Sequence, residues 1–424
     1  MNTELQLSLF ESTEKKTNYK HTPLGWIPEE WQVKELISVS LNGTQNGYYK
    51  GKEFYGRGYE MVHMTEVFAR EKIENGGMSL VDLDEEELKR FSLKEGDLLF
   101  ARRSLALEGV GKCIVVGKIS SPITFESSII RVSLKKDVIE ALFAYYYISS
   151  IRGRIEMLRL ARQVAVSGIT GEDLKRYKIL IPPLPEQRKI AAILSTWDEA
   201  ITQTQQLIAQ LQQRNKGLMQ QLLTGKKRLP GFEGEWRKLH LHEIAKEVVL
   251  KNREGKDLIV LSCTKYDGLV PSLEYFGRRV FGSDTSTYKV VPLHHFAYAT
   301  NHIEEGSIGY QSRFEEALIS PMYTVFKTNG QVYDDYLFKL LKSHQYIHEY
   351  QKRMEGSIDR RGGLRWDEFS KIIVHLPDTA EQVAIAALLN QADDEVKLYE
   401  QKLAALQQQK KGLMQKLMTG QVRV

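Results

Sequence analysis

One short motif in this sequence resembles a phosphate-binding loop but lacks two of the groups that the chemistry needs. The run EGVGKC at 108–113 ends in glycine and lysine, as such loops do. However, the first glycine of G-x-x-x-x-G-K-[ST] is missing, and Cys113 stands where a magnesium-binding hydroxyl is required. A glycine turn between strands is the better interpretation, so the sequence predicts no nucleotide hydrolysis here.

Two further patterns resemble metal-dependent sites, and both fail on spacing. Pro377–Asp378 followed by Glu395 and Lys397 has the residue types of a nuclease centre, whose carboxylates must converge on one metal. A helix between them would hold Asp378 about 26 Å from Glu395, at ~1.5 Å per residue. The histidines at 240, 242, 294 and 295 have no Cys or acidic partners at metal-site spacing. We therefore expect no catalytic residues and no metal site.

A different chemistry, the recognition of base edges, needs paired donors and acceptors from Arg, Lys, Asn or Gln. Such residues lie in predicted loops of both halves, some beside tyrosines. In the first half the candidates are Tyr48, Lys50, Lys52, Arg57, Arg102, Arg103, Arg162 and Gln163. In the second half they are Lys265, Tyr266, Arg278, Arg279, Asn301, His302, Arg313, Arg360 and Arg361. The simpler interpretation of any single one is a solvated surface charge. As a set they are favoured because loops that differ between two similar domains are where different sequences would be read, and most such contacts would be made to phosphates.

The bulk composition is that of a globular chain with two to three domains. Its 424 residues are 42% hydrophobic and 27% charged, with a net charge of +5 that is spread evenly. A nucleic-acid partner would require basic groups to cluster on one face, with the acidic run DLDEEE at 82–87 turned away from it. No signal peptide or membrane span is predicted. The two cysteines fit a reducing compartment, so we expect a cytoplasmic location.

The elements that must position these residues occur twice. The segments Glu186–Gly225 and Glu381–Gly420 align at an offset of 195 residues, and 20 of their 40 positions are identical. A shorter echo, EEWQVKEL and GEWRKLHL, opens each half, whereas the inserts between opener and repeated segment are much less alike. The pattern indicates a tandem duplication with a common frame and divergent inserts, as expected of two different recognition surfaces.

The order of predicted elements gives an α+β fold with two pseudo-repeated α/β domains. In the first insert, 98–104, 112–119 and 127–134 favour strands and 138–150 favours a helix; the second insert has the same order. We expect a polar tail at 1–22, a first domain at 23–182, a central long helix at 183–225, a second domain at 226–376 and a C-terminal long helix at 377–424. Thr379 and Gln382 have the spacing of a capping box at the start of the last helix.

Apolar residues recur every 3.5 positions through both long helices, which predicts a coiled-coil seam. Thirty-eight helical residues extend about 57 Å at ~1.5 Å each, more than a compact domain of 150 residues covers. The alternative is an amphipathic helix that lies on its own domain. The seam comprises Ile190, Leu194, Trp197, Ile201, Ile208, Leu211, Leu218, Leu222, Ile385, Leu389, Val396, Tyr399, Leu403, Leu406, Leu413 and Leu417.

Two polar seam positions, Asn215 and Lys410, bear on the direction of the helices. In a parallel pair they would face one another, which buries an ammonium beside an amide at a cost. In an antiparallel pair we expect each to fall near a helix end and reach water. Pseudo-two-fold packing of two similar units also favours the antiparallel coiled coil.

The run IPPLPEQRKIAAIL, the terminal GLMQQLLTG and the duplicated organisation together resemble the specificity subunit of type I restriction–modification systems. The resemblance extends from about residue 23 to residue 424. In that family a target-recognition domain precedes a proline–Glu-Gln helix, and the pair occurs twice. The second copy departs from the pattern, with LPDTAEQ in place of PPLPEQ.

The resemblance implies a non-catalytic subunit that reads a bipartite double-stranded DNA target, one domain for each half-site. It further implies two methyltransferase subunits as partners, which carry S-adenosylmethionine, so that this chain binds no cofactor itself. Endonuclease and translocase subunits would join through the complex, and the coiled coil would set the gap between half-sites. Two alternatives remain open: the specificity component of a stand-alone DNA methyltransferase, and a coiled-coil scaffold with two protein-binding domains.

Overall fold

The structure is a computed structural model that describes residues 18–161, 167–355 and 363–424. Its contacts divide the chain into two compact units. The first unit contains the residues up to Thr204 together with Lys402–Val424, and the second contains Gln205–Gln401. The predicted boundaries lie at the starts of the two long helices, whereas the structure assigns one part of each helix to each unit. In the described part of the chain, no helix has both the length and the apolar composition needed to cross a membrane.

The described elements of the first unit alternate between short strands and short helices. The strands are β1 (Tyr19–Thr22), β2 (Gly25–Pro28), β3 (Gln32–Glu35), β4 (Ser40–Asn46), β5 (Tyr55–Val62), β6 (Lys72–Ile73), β7 (Ser79–Val81), β8 (Leu98–Ala101), β9 (Arg103–Ser104), β10 (Cys113–Val116), β11 (Ile123–Phe125), β12 (Ile129–Leu134), β13 (Ser167–Gly168) and β14 (Lys178–Ile181). The helices are α1 (Leu36–Val39), α2 (Met64–Ala69), α3 (Glu85–Phe91), α4 (Ala141–Ser149), α5 (Ile151–Leu160), α6 (Gly171–Lys175) and the long α7 (Leu184–Leu222); 3-10 turns lie at Lys52–Phe54 and Leu107–Gly109.

The largest sheet of the first unit has the strand order β4-β12-β8-β10-β6, and a second sheet has the order β11-β5-β7. Apolar side chains of β8 and β12 are buried on both faces, so helices and the second sheet cover the central strands. The opener strand β3 pairs with β14, the strand that leads into α7. Trp31, directly before β3, is fully buried in the same core as the start of α7.

The second unit repeats this plan with different strands. These are β15 (Arg237–His240), β16 (Ala245–Glu247), β17 (Val260–Thr264), β18 (Gly268–Pro271), β19 (Lys289–Pro292), β20 (His295–Ala299), β21 (Ile308–Gln311), β22 (Glu316–Ile319), β23 (Tyr323–Thr328) and β24 (Ile373–Leu376). The helices are α8 (Leu241–Ile244), α9 (Ser272–Phe276), α10 (Asp334–Leu341), α11 (His344–Glu355), α12 (Trp366–Phe369) and the long α13 (Thr379–Met418), with a 3-10 turn at Ile303–Glu305.

Two four-stranded sheets, β16-β23-β20-β21 and β18-β17-β22-β19, form the second unit. As in the first unit, the opener strand β15 pairs with β24, the strand that leads into the long helix. The predicted α+β fold with two pseudo-repeated domains is therefore confirmed. The predicted polar tail at 1–22 is too long, because β1 occupies Tyr19–Thr22 and pairs with β2.

A buried glutamine anchors the start of each long helix, 195 residues apart. The Gln187 side chain donates to the Pro182 carbonyl at 2.8 Å and accepts from the Glu140 amide at 2.9 Å. Gln382 likewise donates to the Pro377 carbonyl at 2.9 Å and accepts from the Tyr333 amide at 2.8 Å. The capping box predicted for Thr379 and Gln382 is wrong, because Gln382 makes these long-range bonds.

Asp378 caps the last helix instead of Thr379. Its Oδ1 accepts a hydrogen bond from the amide of Glu381 at 2.8 Å. Thr379 is already the first residue of α13. The acidic side chain therefore lies at the N-terminus of the helix, where negative charge is favourable.

The glutamate before each anchoring glutamine is also buried and is paired with an arginine that follows the other long helix. Glu186 accepts from Arg423 at 2.5 and 3.0 Å and from the Trp31 indole at 3.1 Å. Glu381 accepts from Arg228 at 2.6 Å through each carboxylate oxygen. The occurrence of Glu and Gln at the start of both long helices therefore has a physical cause, since both side chains bind distant parts of their own unit.

The two long helices pack antiparallel within each unit. In the first unit, Glu186 near the start of α7 contacts Arg423 beyond the end of α13, and Asp198 further along α7 contacts the earlier residue Lys410. In the second unit, Gln212 reaches Glu400, whereas Asn215 further along α7 reaches the earlier residue Ala392. The predicted antiparallel coiled coil is therefore confirmed.

All sixteen predicted seam residues are buried or half-buried. The buried ones are Ile190, Leu194, Ile201, Ile208, Leu211, Leu222, Ile385, Leu389, Val396 and Leu417; the half-buried ones are Trp197, Leu218, Tyr399, Leu403, Leu406 and Leu413. This distribution is what a continuous apolar stripe between two helices requires.

Of the two polar seam residues, Asn215 does not reach water as expected, whereas Lys410 is partly exposed. Asn215 is buried, and its Nδ2 donates to the Ala392 carbonyl at 2.7 Å. Lys410 is half-buried; it forms an ion pair with Asp198 and lies 5.4 Å from the centre of the Tyr146 ring. The expectation is wrong for Asn215, because the Ala392 carbonyl satisfies its side-chain amide within the seam.

Candidate nucleic-acid interface

In the first unit, the loop after β8 carries two of the predicted base-reading residues. Arg102 is half-buried and Arg103 is exposed. Strand β9, which contains Arg103, pairs with β13, and the amide of Ile169 donates to the Arg102 carbonyl at 3.0 Å. Arg162 and Gln163 lie outside the described residues. The segment that resumes at Ser167 is thus fixed directly beside the arginine pair.

The second unit builds the same corner from homologous backbone positions. The amide of Leu364 donates to the Thr300 carbonyl at 2.7 Å, next to the candidates Asn301 and His302. Gly363 has a φ of 66°, and a Cβ there would lie 2.5 Å from the Thr300 oxygen, so the close approach requires glycine. Arg360 and Arg361 lie outside the described residues. Leu364 follows Ile169 by 195 residues, the offset of the internal repeat.

Further candidates of the first unit approach this corner but are bound to acidic side chains. Lys50 forms an ion pair with Glu87 at 2.8 Å, and the Tyr48 hydroxyl also donates to Glu87. The hydrogen bond with Glu87 raises the pKa of Lys50 above its usual range. Lys50 therefore keeps its positive charge, but Glu87 compensates that charge within the unit, so Lys50 is less available to a polyanion.

Arg57 is held in the same way by Asp82, at 2.9 Å, although most of its side chain is exposed. Asp82 and Glu87 both belong to the acidic run that was expected to face away from the basic residues. That expectation is wrong, because these two carboxylates contact three of the predicted candidates. Lys52 is exposed in its 3-10 turn.

The backbone shows how Tyr48 and Arg102 come to flank one turn. The amide of Tyr48 donates to the Phe125 carbonyl at 3.0 Å, and the amide of Arg102 donates to the Ser128 carbonyl at 2.9 Å. Glu126, between these two acceptors, binds the imidazole of His63 at 3.0 Å. That hydrogen bond to Glu126 raises the pKa of His63. The first unit thus assembles its candidates around the turn at 125–129.

In the second unit, the turn between β17 and β18 joins the corner formed by Asn301 and His302. Lys265 and Tyr266 are exposed there, with the ammonium 5.5 Å from the ring centre. Gly306 follows the 3-10 turn next to His302, and a Cβ added at this glycine would lie 3.9 Å from the Lys265 carbonyl oxygen. Sequence positions about 40 residues apart are therefore neighbours.

Arg313 is not part of this group. It follows the last residue of β21, which pairs with the first residue of β20, whereas Asn301 lies beyond the opposite end of β20. Arg278 and Arg279 follow α9 and are exposed; Arg279 donates to the Gly282 carbonyl at 3.0 Å. The structure thus brings Lys265, Tyr266, Asn301 and His302 together and leaves Arg313 apart.

A polar cavity of about 410 Å³ opens beside Thr300, and sequence reasoning missed most of its lining. Lys289, Tyr323, Arg365 and Trp366 contribute side chains of the types that bind nucleic acid. The available signal was the sequence LRWD at 364–367, which two glycines separate from the predicted Arg360–Arg361. The position of Lys289 could not be inferred, because it depends on the pairing of β19 with β22, in which Lys289 lies opposite Ile319.

His302, Glu304 and Glu305 place possible ligand atoms within 4.8 Å of one another. Two of the three residues are exposed. His302 Nδ1 lies 3.6 Å from Glu305 Oε1, so the group is a surface ion pair when the imidazole is protonated. Nothing else in the described residues indicates a metal there.

The motifs that resembled catalytic sites have local structural roles. Cys113 is buried in β10, and burial raises the pKa of its thiol far above the usual range. Asp378 caps α13, while Glu395 pairs with Arg214 at 2.7 Å, so the two carboxylates do not converge on one metal. Among the described residues, these motifs supply no reactive centre.

Comparison with known proteins agrees with this arrangement. The family model for the type I restriction modification DNA specificity domain matches residues 28–213. The putative type I restriction enzyme MjaX specificity subunit of Methanocaldococcus jannaschii is 25% identical, over 97% of this chain and 98% of that one. Over nearly its whole length the chain is similar to a specificity subunit of type I restriction–modification systems.

Other proteins of type I systems match more locally or by fold. The EcoKI specificity subunit of Escherichia coli is 29% identical over 42% of this chain and 37% of its own length. The S subunit from M. genitalium has the same fold, with a TM-score of 0.53 at 16% identity over 95% of this chain and 97% of that one. A chain from a study of complex assembly in a type I system reaches a TM-score of 0.60 at 18% identity, over 93% and 99%. The similarity to specificity subunits implies a non-catalytic role.

Proposed function

We propose that this specificity subunit reads a bipartite sequence in double-stranded DNA, one half-site for each unit, and docks two methyltransferase subunits. On this proposal those partners carry the S-adenosylmethionine, and this chain binds no cofactor. Endonuclease and translocase subunits join through the complex, which acts in the cytoplasm.

The observation that carries the proposal is the corner that is built twice from one backbone plan. Ile169 binds the Arg102 carbonyl and Leu364 binds the Thr300 carbonyl, yet the side chains beside these bonds differ: Arg102 and Arg103 in one unit, Asn301 and His302 in the other. Arginine suits guanine and asparagine suits adenine at base edges. The same frame with different polar residues is what two different half-sites require.

Substitution of one corner at a time tests the proposal in a complex assembled with the methyltransferase. We expect Arg103→Ala to relax the bases preferred in one half-site only, and Asn301→Ala those in the other half-site. Each lost bidentate contact is worth about 1–3 kcal/mol, or roughly 5- to 150-fold in discrimination. Methylome sequencing of the host reports the preferred bases at each position of both half-sites.

Lys136→Ala and Lys327→Ala are matched controls. These exposed lysines lie at or beyond the ends of β12 and β23 that are remote from the two corners. If both arginine and asparagine variants altered the same half-site, or if neither altered the recognised sequence, the assignment of one unit to each half-site would be wrong. Retained methylation without any restriction activity in the host would identify a stand-alone methyltransferase system.

A further inference from the structure

Leu105 is the most exposed of the large apolar side chains in the described part of the chain, at 93%. It lies in the loop between β9 and the 3-10 turn at Leu107–Gly109, two residues after Arg103. An apolar side chain in full contact with water gains nothing from the folded state of its own unit. Its position beside the proposed DNA-reading arginines indicates that a partner covers it.

The loop around Leu105 is closed by its own hydrogen bonds. The amide of Ala106 donates to the Ser104 hydroxyl at 3.2 Å, and that of Gly109 donates to the Ala106 carbonyl at 3.0 Å. The amide of Gly111 then returns to the Ala101 carbonyl at 2.9 Å. The backbone therefore holds Leu105 outward in a defined loop. Because the loop is already ordered, binding of a partner costs little conformational entropy.

The same loop in the second unit is shorter and has no counterpart of Leu105. From the end of β8 at Ala101 to the 3-10 turn at Leu107 is six residues, whereas Ala299 to Ile303 is four. Ile303 is fully buried, and Leu107 begins the equivalent 3-10 turn half-buried. Leu105 thus belongs to a two-residue extension that the core of the fold does not need.

Cationic side chains surround the extension. Arg102 and Arg103 precede it, and Arg154 donates to the carbonyls of Glu108 and Val110, at 2.8 Å each. Lys112 donates to the Phe68 carbonyl at 2.8 Å. Burial lowers the pKa of Lys112, and the nearby charge of Arg154 lowers it further. Glu108 is the acidic side chain within the loop, so positive charge predominates around Leu105.

We propose that Leu105 inserts between two stacked base pairs in the half-site read by the first unit, with Lys112 at a flanking phosphate. This inference rests on the proposed function and adds a role that direct readout does not supply. Apolar wedges of this kind unstack one base step and bend the duplex, and the bend brings more basic groups to the backbone. A negatively charged duplex is the partner that fits an apolar tip surrounded by cations.

Duplexes that carry 2-aminopurine test the proposal with the full complex of specificity and methyltransferase subunits. The probe base is placed in turn at each step of the half-site, but not at the base that becomes methylated, because methyltransferases extrude that base themselves. We expect binding of the wild-type complex to raise the fluorescence at one step. Leu105→Ala should abolish that rise and weaken specific binding by about 10-fold, a loss on the order of one mismatched base pair, whereas Leu105→Met should retain both.

Leu41→Ala is the matched control. Leu41 is also an exposed leucine, at 58%, but it lies at the opposite end of the same sheet, where β4 pairs with the end of β12. Truncation of either exposed side chain leaves the core intact, so the thermal midpoints of both variants should equal that of the wild type.

Each outcome is decisive. A wild-type complex that fails to distinguish specific from nonspecific DNA would overturn the proposed function itself. Specific binding with no fluorescence rise at any step, or with equal rises for Leu105→Ala and wild type, would leave DNA reading in place and remove the wedge. Failure of Leu105→Ala to assemble with the methyltransferase would show that Leu105 contacts protein, which also removes the wedge.

Discussion

At the scale of single residues, the glutamates near the starts of the two long helices are buried charges whose stability depends on one arginine each. The Glu186 side chain is 6% exposed and depends on Arg423 for its cation, while Glu381 depends on Arg228. Loss of one partner leaves an uncompensated carboxylate in the core, and such losses are costly, whereas exposed pairs contribute little. The same residue types therefore differ in energetic weight according to burial.

We expect Arg423→Ala to lower the free energy of unfolding of the first unit by about 2–3 kcal/mol, below the full cost of a broken buried pair because Arg423 is 39% exposed. Arg214→Ala is the control: its partner Glu395 is 42% exposed, so the loss should stay below about 0.5 kcal/mol. Denaturant unfolding compares the two variants. Adding Glu186→Gln to Arg423→Ala should recover part of the loss, and equal losses for the two arginines would contradict the argument.

At the scale of elements, the long helices could be predicted from sequence because their apolar repeat is local information. All the predicted seam positions are buried or half-buried, and the internal repeat located both helix starts. The partners of Asn215 and Lys410 could not be predicted, since Ala392 and Asp198 reach them only through the packing of two helices. The expectation that the acidic run at 82–87 faces away from the basic residues was wrong for the same reason, because only the fold brings Glu87 next to Lys50.

The roles of the anchoring glutamines also could not be predicted from the sequence, because some of their hydrogen-bond partners are distant in sequence. Gln187 is fully buried and serves the Glu140 amide and the carbonyls of Val138 and Pro182. We expect Gln187→Leu to lower the free energy of unfolding by about 2–4 kcal/mol, because a buried amide and two carbonyls lose their partner. Gln206→Leu, at an exposed position of the same helix, should change it by less than about 0.5 kcal/mol. Similar values in thermal or denaturant unfolding would show that Gln187 does not anchor the helix.

At the scale of the whole molecule, the duplication gives each unit parts from both ends of its sequence. Lys402–Val424 complete the first unit, although they are the last residues of the chain, whereas the second unit is the continuous segment Gln205–Gln401, which contains the end of α7 and the start of α13. Each unit therefore contains one antiparallel helix pair, one Glu–Arg pair and one corner of candidate DNA-reading residues. Divergence is confined to the loops and inserts, which suits two recognition surfaces on a common frame.

On the proposed function, the length of the helices sets the number of base pairs between the half-sites. One seam-compatible heptad added to α7 after Thr204, with a second added to α13 after Gln401, preserves the apolar repeat and lengthens each helix by about 10.5 Å at ~1.5 Å per residue. Because one base pair rises about 3.4 Å, we expect the gap to grow by about three base pairs while both half-sites stay the same. Methylome sequencing measures the gap directly. Three-residue insertions at the same places break the seam and should abolish methylation, whereas an unchanged gap after the heptad insertions would show that the helices do not set the spacing.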